Sequence, residues 1–539
     1  MESRSGPQPN PQISHVFVVM LENHSFDQMF AMSGIPGITA ATPASFNTYL
    51  GKTYPVTSGA PLSMCTDPGH EFADVVEQLA GERATYPSHG PYPHIDNSGF
   101  VANYANSISE HTGRPSTLDY GDVMACFETP RQLPVLYQLA TEFAICDHWY
   151  SSLPGPTWPN RFFVHGASSS YLEDSPTREE IPWWEIDGFR YANGSIYDSL
   201  KKNHLRYRFY NDTTGWPHEL SLYSDVPQLG SKFGAIPQVS SLRGVSLFRD
   251  FHSLKHFASD LHGNYPYAYT FIEPHYGALL ENTYRGGSSQ HPMDDVYGGE
   301  HLLAAVYEAI RNSPLWNSSL LIITYDEHGG LYDSVAPGPA PAPGDPRLHP
   351  FNKKYHFQFN QYGVRVPAVV VSPLIPKGTV DHTVYDHSSV PATLEKQFGL
   401  APLTRRDAAA NDVLHLLSLA TPRTDSPTAL DRPARVLREE AAAAVSLEER
   451  ARVDAQPLPE SGNLIGALGI LKKTEHEMAA EAADAAPDSR EVVAAAVDER
   501  FALIQTRGEA RAYAAEVMGA VGRIRAVREA AERVEPPAS

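Results

Sequence analysis

Over residues 12–400 the chain alternates short, unbroken apolar runs with Gly-, Pro- and aromatic-rich segments. His15 to Leu21 (HVFVVML) is one such run and stops at Glu22-Asn23. Leu320 to Tyr325 (LLIITY) is another and stops at Asp326-Glu327. Both are short and rich in β-branched and other apolar residues, the pattern of a strand buried on both faces. Tyr265 to Ile272 (YPYAYTFI) reads as a strand ending at Glu273-Pro274-His275. Val364 to Ser372 (VRVPAVVVS) reads as another, in which Pro367 points to an edge position or a bulge. Between these two, Val296 to Asn312 has helical spacing, with Leu302, Leu303, Val306, Tyr307 and Ile310 on one face. Strand, helix and strand together predict a βαβ unit with a right-handed crossover. Residues 331–362 are Pro- and Gly-rich and predict a long loop near the carboxyl ends of these strands.

The texture changes after about residue 400. Residues 401–435 carry turn formers and read as a linker, and residues 436–539 are rich in Ala, Glu and Arg and read as a helical extension. Pro457, Pro459, Gly462 and Pro487 divide this extension into separate helices. Tyr513, Val517, Val521 and Ile524 fall on one stripe, expected to pack on the parent domain or on a helix of another subunit. No internal repeat is visible.

The polar ends of the first two runs carry the chemistry. In an open α/β sheet, ligands sit outside the carboxyl ends of the strands. If the two strands are parallel neighbours, Glu22, Asn23, Asp326 and Glu327 converge there. Three carboxylates and an amide oxygen at one point need a cation to offset their repulsion, which predicts a divalent metal site. Oxygen ligands favour Ca²⁺, Mg²⁺ or Mn²⁺, and Zn²⁺ stays open. Strands also end in polar residues simply where the chain meets water. Two such pairs, the second followed at once by Gly329-Gly330, weigh toward a site.

Composition narrows the function classes. A chain of 539 residues with 42% hydrophobic residues suits a globular enzyme with a sizeable core. A formal charge of −21 argues against a nucleic-acid partner and against polybasic docking on anionic lipid. No stretch approaches the ~20 apolar residues of a transmembrane segment. No apolar leader precedes the first strand, so a cytoplasmic location is expected; a mis-assigned start would make it secreted or periplasmic. Cys65, Cys126 and Cys146 show no metal spacing and leave room for one bridge at most.

The densest unusual string is Asp147-His148-Trp149-Tyr150-Ser151-Ser152-Leu153-Pro154-Gly155-Pro156-Thr157-Trp158-Pro159-Asn160-Arg161. Pro, Gly and Trp at this density make a stiff turn that can hold one hydroxyl in place. Thr157 is a weak nucleophile unless a metal lowers its pKa. Asn160 and Arg161 could then hold phosphate oxygens, since Arg matches them bidentately. The bland reading is an ordinary rigid loop with Arg161 in a salt bridge.

Several motifs together resemble the phosphoesterase family that includes bacterial phosphatidylcholine-type phospholipases C and certain acid phosphatases. Glu22-Asn23-His24-Ser25-Phe26-Asp27 resembles its ENRSFD opening, and Gly155 to Arg161 its GxTxPNR segment. His291-Pro292 with Asp295-Val296 and Gly299-Glu300 resembles HPxxDVxxGE. Asp326 to Asp333 resembles DExGGxYD, and Tyr385 to Ser389 resembles YDHSS. The resemblance implies an alkaline-phosphatase-like α/β fold with a central, mostly parallel sheet flanked by helices, and it implies phosphate-ester hydrolysis. It further implies Glu22, Asn23, Thr157, Asp326 and Glu327 as metal ligands, Thr157 as nucleophile, and His291 as a phosphate-contacting or acid–base residue. His70, in Asp67-Pro68-Gly69-His70, sits where relatives have a site histidine. His24 stands where Arg is common and is expected to affect the rim of the site.

The expected reaction is a two-step displacement through a phospho-threonine, with His291 or His70 protonating the leaving oxygen. The expected substrate is a phosphate ester, with a phospholipid head group in view. Trp149, Tyr150, Trp158, Trp183, Trp184 and Tyr276 supply aromatic faces that can cage a choline ammonium, or that simply pack. An acid phosphatase acting on phosphomonoesters is the alternative. A non-catalytic binding protein that keeps the fold is the second alternative.

Overall fold

The computed structural model describes residues 9–107, 118–181, 188–213, 234–281, 283–351, 354–433, 447–483 and 490–534. Trp183 and Trp184 lie outside these residues. Eight strands form the main sheet: β1 (His15–Leu21), β2 (Ala144–Cys146), β3 (Arg206–Asn211), β4 (Phe251–Ser253), β5 (Tyr267–Glu273), β6 (Ser319–Tyr325), β7 (Ala368–Val371) and β8 (Thr379–Asp381). Their order across the sheet is β8-β2-β7-β6-β1-β5-β3-β4. Only β7 runs antiparallel to its neighbours, so the other strands all release their carboxyl ends along one edge.

β1 lies between β5 and β6, parallel to both, with Leu21 opposite Tyr325. Val16 to Leu21 and all of β6 are buried, which explains why these runs contain no polar alternation. The helix read from spacing forms at Tyr297–Arg311, here α2, and links β5 to β6 past β1. Its Leu302, Leu303, Val306, Tyr307 and Ile310 are buried. Residues 331–362 carry no helix or strand among those described.

One strand expectation needs correcting. β7 is not an edge strand: it pairs with β6 on one side and β2 on the other. Pro367 sits immediately before the first paired residue, Ala368, where its missing N–H breaks no ladder bond.

Beyond residue 400 the chain stays packed on this body. Arg406, fully buried, donates to Asp386 at 2.9 Å and to the carbonyl of Phe359 at 2.8 Å. The last part is helical, with α3 (Leu447–Asp454), α4 (Asn463–Ala483), α5 (Arg490–Ala502) and α6 (Arg507–Val534). Tyr513, Val517 and Val521 of α6 are buried as their stripe predicts. Ile524 departs from it and is 38% exposed. At that level Arg525 and Arg528 take over the contact, donating to the carbonyls of Leu247 and Phe251. Cys65, Cys126 and Cys146 are all free thiols. Among the described residues no helix is long and apolar enough to cross a membrane.

Candidate active site

The parallel pairing of β1 and β6 brings Glu22, Asn23, Asp326 and Glu327 to one place. The Asn23 amide donates to Asp326 Oδ1 at 3.1 Å, and the Glu327 amide donates to the same oxygen at 2.7 Å. Asn23 takes a left-handed backbone, φ 56°, which turns its side chain off the strand axis. Gly329 follows with φ 64°, and a Cβ there would lie 2.3 Å from the Asn23 carbonyl oxygen. At Gly330, φ 68°, a Cβ would lie 2.5 Å from the Gly69 carbonyl oxygen. The glycine pair therefore lets the second motif close over the first and over the segment that carries Asp67 and His70.

Thr157 opens α1 (Thr157–Gly166), the helix that starts at Pro156. Its hydroxyl is buried and lies 3.4 Å from Asn23 Oδ1. The turn before it is held by Asn160. That amide donates to the carbonyls of Gly155 at 2.8 Å and Pro156 at 3.1 Å, and accepts from the Leu153 amide at 3.1 Å. Asn160 thus has its hydrogen bonds in the turn itself. Arg161, one helical turn after Thr157, is buried beneath the carboxylates. Its Nε donates to Asp326 Oδ2 at 2.8 Å and its Nη2 to the Leu21 carbonyl at 3.0 Å, while Nη1 stands 3.6 Å from Glu273.

The remaining capacity of these groups is uneven. Asp326 is the most committed, with two amides on one oxygen and Arg161 on the other. Glu22 Oε2, Asn23 Nδ2, Arg161 Nη1 and Glu327 Oε1 are buried and have no hydrogen-bond partner among the described residues. Burial pushes the Glu22 and Asp326 carboxyls up, against the pull of Arg161 and with their acidic neighbours adding to the rise. Buried carboxylate oxygens with no donor are costly, and a cation between them removes the cost.

The two expected histidines are neighbours, with ring centroids 6.4 Å apart. His70 Nδ1 donates to the Pro68 carbonyl at 3.0 Å, so the neutral ring carries its proton there and not on Nε2. His291 Nδ1 accepts from the Met293 amide at 3.3 Å, which places its proton on Nε2, 3.8 Å from Asp67. Its ring is stacked on Tyr284 with centroids 3.5 Å apart. His24 is a correction. It is 2% exposed, not at the rim; it bonds Gln28 and the Gln290 carbonyl, and burial holds its imidazole down at about 4.

Three residues at the site had no role read from the sequence. Asp67 is buried, and desolvation, with Glu327 adding to it, pushes its carboxyl up to about 6 despite His70. His387 accepts from the Trp149 indole and donates to the Asp326 carbonyl at 2.6 Å. Tyr284 carries the His291 ring. Asp67 and His387 do sit inside motif strings, and that was their only signal. Trp149, Tyr150, Trp158 and Tyr276 are all buried, so those four aromatics pack around the site.

The Phosphoesterase family matches residues 13–401, most of the chain and all of the segments just described. The chain belongs to the phosphoesterase family. Among its curated relatives, non-specific phospholipase C3 of Arabidopsis thaliana is 33% identical over 79% of this chain and 77% of its own length. Non-specific phospholipase C6 of the same plant is 34% identical over 78% and 75%. Phospholipase C B of Mycobacterium tuberculosis is 27% identical over 80% and 82%. A solved structure from Vibrio parahaemolyticus, described as a protein in the alkaline phosphatase superfamily, aligns over 52% of this chain and 64% of its own. Its identity is 15% and its TM-score 0.28, too low to add to the topology above. As a phosphoesterase, the protein is a hydrolase of phosphoric esters, and the convergent acids, buried threonine and paired histidines are its candidate machinery.

Proposed function

We propose that this phosphoesterase is a phospholipase C-type hydrolase that uses one divalent metal ion and a phospho-threonine intermediate at Thr157. The observation that carries the reading is that Glu22, Asp326 and Glu327 lie close enough to act on one another electrostatically, with buried oxygens of Glu22 and Glu327 that have no hydrogen-bond donor among the described residues, while Asn23 bonds both Asp326 and Thr157. The residues present fit a hard cation: oxygen donors only, and a Thr157–Asn23 oxygen separation of 3.4 Å. Glu22, Asn23, Thr157, Asp326 and Glu327 would hold it. When bound, it lowers the pKa of the threonine hydroxyl and offsets charge on the phosphoryl oxygens.

The chain's own groups then divide the work. Thr157 Oγ1 gives its proton to Nε2 of His70 and attacks phosphorus, the new O–P bond forms, and the bond to the alcohol oxygen breaks in line with it. The leaving oxygen takes that proton from His70, and the Nε2–H of His291 donates a hydrogen bond to a phosphoryl oxygen. In the second step Nε2 of His70 takes a proton from water, which attacks phosphorus, and returns it to Thr157 Oγ1 as the phospho-threonine bond breaks. Asn160 fixes the turn under Thr157, and the Nη1 edge of Arg161 is its remaining contact for a phosphoryl oxygen. The relatives named phospholipase C, aligned over most of both chains, favour a phospholipid-like diester substrate over a monoester.

The test is Thr157→Ala. The variant is expected to keep its fold and metal content and to lose about 10³-fold or more in turnover. Acid quenching of the wild type with substrate should yield a phosphorylated Thr157 peptide. Near-normal turnover in the variant rejects the nucleophile. Hydrolysis of a phosphorylcholine ester against an aryl phosphate separates the diesterase from the phosphomonoesterase.

A further inference from the structure

The sheet repeats, near its far edge, the device that builds the active site. β8 and β2 are a second pair of parallel neighbours, with Asp381 opposite Cys146. They run in the same direction as β1 and β6, so they end along the same side of the sheet. β2 releases Asp147-His148 there, and β8 releases His382. The antiparallel β7 separates this pair from β6 and keeps the two clusters apart.

The Asp147 carboxylate is fully buried. His148 Nδ1 lies 2.7 Å from its Oδ1, and His382 Nδ1 lies 2.9 Å from each of its oxygens. The Thr39 amide donates to Oδ2 at 2.6 Å and holds the carboxylate in place. One donor atom from each of the three residues falls within 4.8 Å of the others. The side chain of His148 is 21% exposed and that of His382 is 56% exposed, so the cluster is rooted in the core and open to solvent on one side.

We infer that Asp147, His148 and His382 form a second metal site, one that takes a borderline divalent transition ion such as Zn²⁺ or Ni²⁺. Two imidazoles and one carboxylate are the donor set such ions select, whereas Ca²⁺ and Mg²⁺ prefer all-oxygen sites. Three protein donors leave the outward positions to water. Two donors on a tetrahedral ion at ~2.1 Å stand roughly 3.4 Å apart, so the Nδ1–carboxylate pairs must open by about 0.5–0.7 Å. His382, the most exposed of the three, can supply that movement. Ligation through Nδ1 needs each neutral ring to carry its one proton on Nε2, a change of tautomer that leaves the proton count unchanged.

The site does not depend on the Thr157 mechanism, but it is linked to it physically. Trp149, next to His148, donates to His387, which in turn donates to the Asp326 carbonyl. The Asp147 carbonyl accepts from Arg365, whose guanidinium also pairs with Asp333 and Asp27 of the family motifs.

The experiment uses full-length protein stripped with a chelator and desalted. Zn²⁺ and Ni²⁺ are titrated by calorimetry, with bound metal counted by mass spectrometry. Parallel samples carry His382→Ala, His148→Ala or Asp326→Asn. The expected result is that both histidine variants lose one Zn²⁺ or Ni²⁺ equivalent, or weaken it at least about 100-fold, while Asp326→Asn retains it. A wild type that binds neither ion more tightly than about 100 µM overturns the assignment. So does a wild-type isotherm matched by His382→Ala, a substitution at an exposed position that leaves the core intact. Loss of an ion in Asp326→Asn alone would speak to the active-site reading and count against this one.

Discussion

The indole N–H of Trp158, the residue that follows Thr157, donates to Oδ1 of Asn463 at 2.8 Å. Asn463 begins α4, far along the chain from the family motifs, and its Nδ2 donates to the Tyr284 hydroxyl at 3.0 Å. Tyr284 is the ring on which His291 stacks. One amide from the C-terminal helices therefore ties the helix of the candidate nucleophile to the platform under His291. Gly466, one turn on, lies against the same indole: a Cβ there would come within 2.0 Å of the Trp158 ring.

Asn463 should thus behave as a positioning residue. Asn463→Leu is expected to lower kcat by about tenfold with KM changed far less, since a small misplacement of reacting groups costs rate before it costs binding. The readout that separates positioning from plain destabilisation is the pH–rate profile. The limb that reports the paired site histidines should shift in Asn463→Leu and not in a tail variant of equal Tm loss away from this contact. An unchanged kcat would mean that the helical extension packs on the site without ordering it.

Gly329 offers a sharper geometric test. Its φ of 64° disfavours any side chain, and its added Cβ would meet the Asn23 carbonyl at 2.3 Å. Gly329→Ala must either move Asn23 or break the turn after Glu327. Left-handed strain alone costs about 1–2 kcal/mol, and the contact adds to it. The expected outcome is a lower Tm together with weakened binding of divalent ions, measured on chelator-treated protein. Gly399, also at positive φ but with open space around it, is the control: Gly399→Ala should cost stability alone.

How far the sequence could be read follows from where each contact originates. β1 and β6 announced themselves because burial on both faces leaves an uninterrupted apolar run, and such a run has a visible end. Glu22-Asn23 and Asp326-Glu327 sit at those ends, so parallel pairing alone brings them together. Asp67, Tyr284 and Asn463 come from loops and a distant helix with no periodicity to mark them, and only tertiary packing assembles them. Pro367 misled because the sequence cannot tell a proline inside a strand from one that immediately precedes its first ladder bond. His24 misled because a polar residue beside a site reads as solvent-facing, whereas here Gln28 and Gln290 supply its partners indoors.

Arg161 gives a prediction with a definite sign. Its charge lowers the pKa of both Glu22 and Asp326, opposing the rise that burial causes. Arg161→Met removes that pull and leaves Asp326 and Glu273 as buried acids without their cation. A loss of about 3–5 kcal/mol in stability is expected from breaking such a pair on one side. In whatever folded fraction remains, Glu22 and Asp326 should hold their protons to higher pH. The acid limb of the activity profile should therefore move upward. Arg161→Lys keeps a charge but cannot make the Nε bond to Asp326 and the Nη2 bond to Leu21 together, so it should recover only part of both losses. An acid limb that stays fixed in Arg161→Met would detach the guanidinium from the electrostatics of these carboxylates.

The docking of α6 should depend on pH through His252 on the edge strand β4. Burial first, then Arg208, Arg528 and Arg525, with His256 adding a little, hold its imidazole down at about 2. Its Nδ1 accepts from Arg208 Nη2 at 2.9 Å, a bond that protonation would abolish. The sign follows from linkage. The unfolded chain takes up a proton near the ordinary histidine pKa of 6.5, and the folded chain does not until far lower pH. Stability is therefore fully present above about pH 6.5 and falls steadily as the pH drops below it, by up to about 2 kcal/mol at pH 5. His252→Gln keeps an acceptor for Arg208 and cannot take a proton. Its Tm should fall less than that of the wild type between pH 7.5 and pH 5, and hydrogen exchange in α6 should show the smaller pH response. Because His24 and His387 titrate alike in both proteins, the difference isolates His252. Equal drops in Tm would place the acid sensitivity elsewhere in the fold.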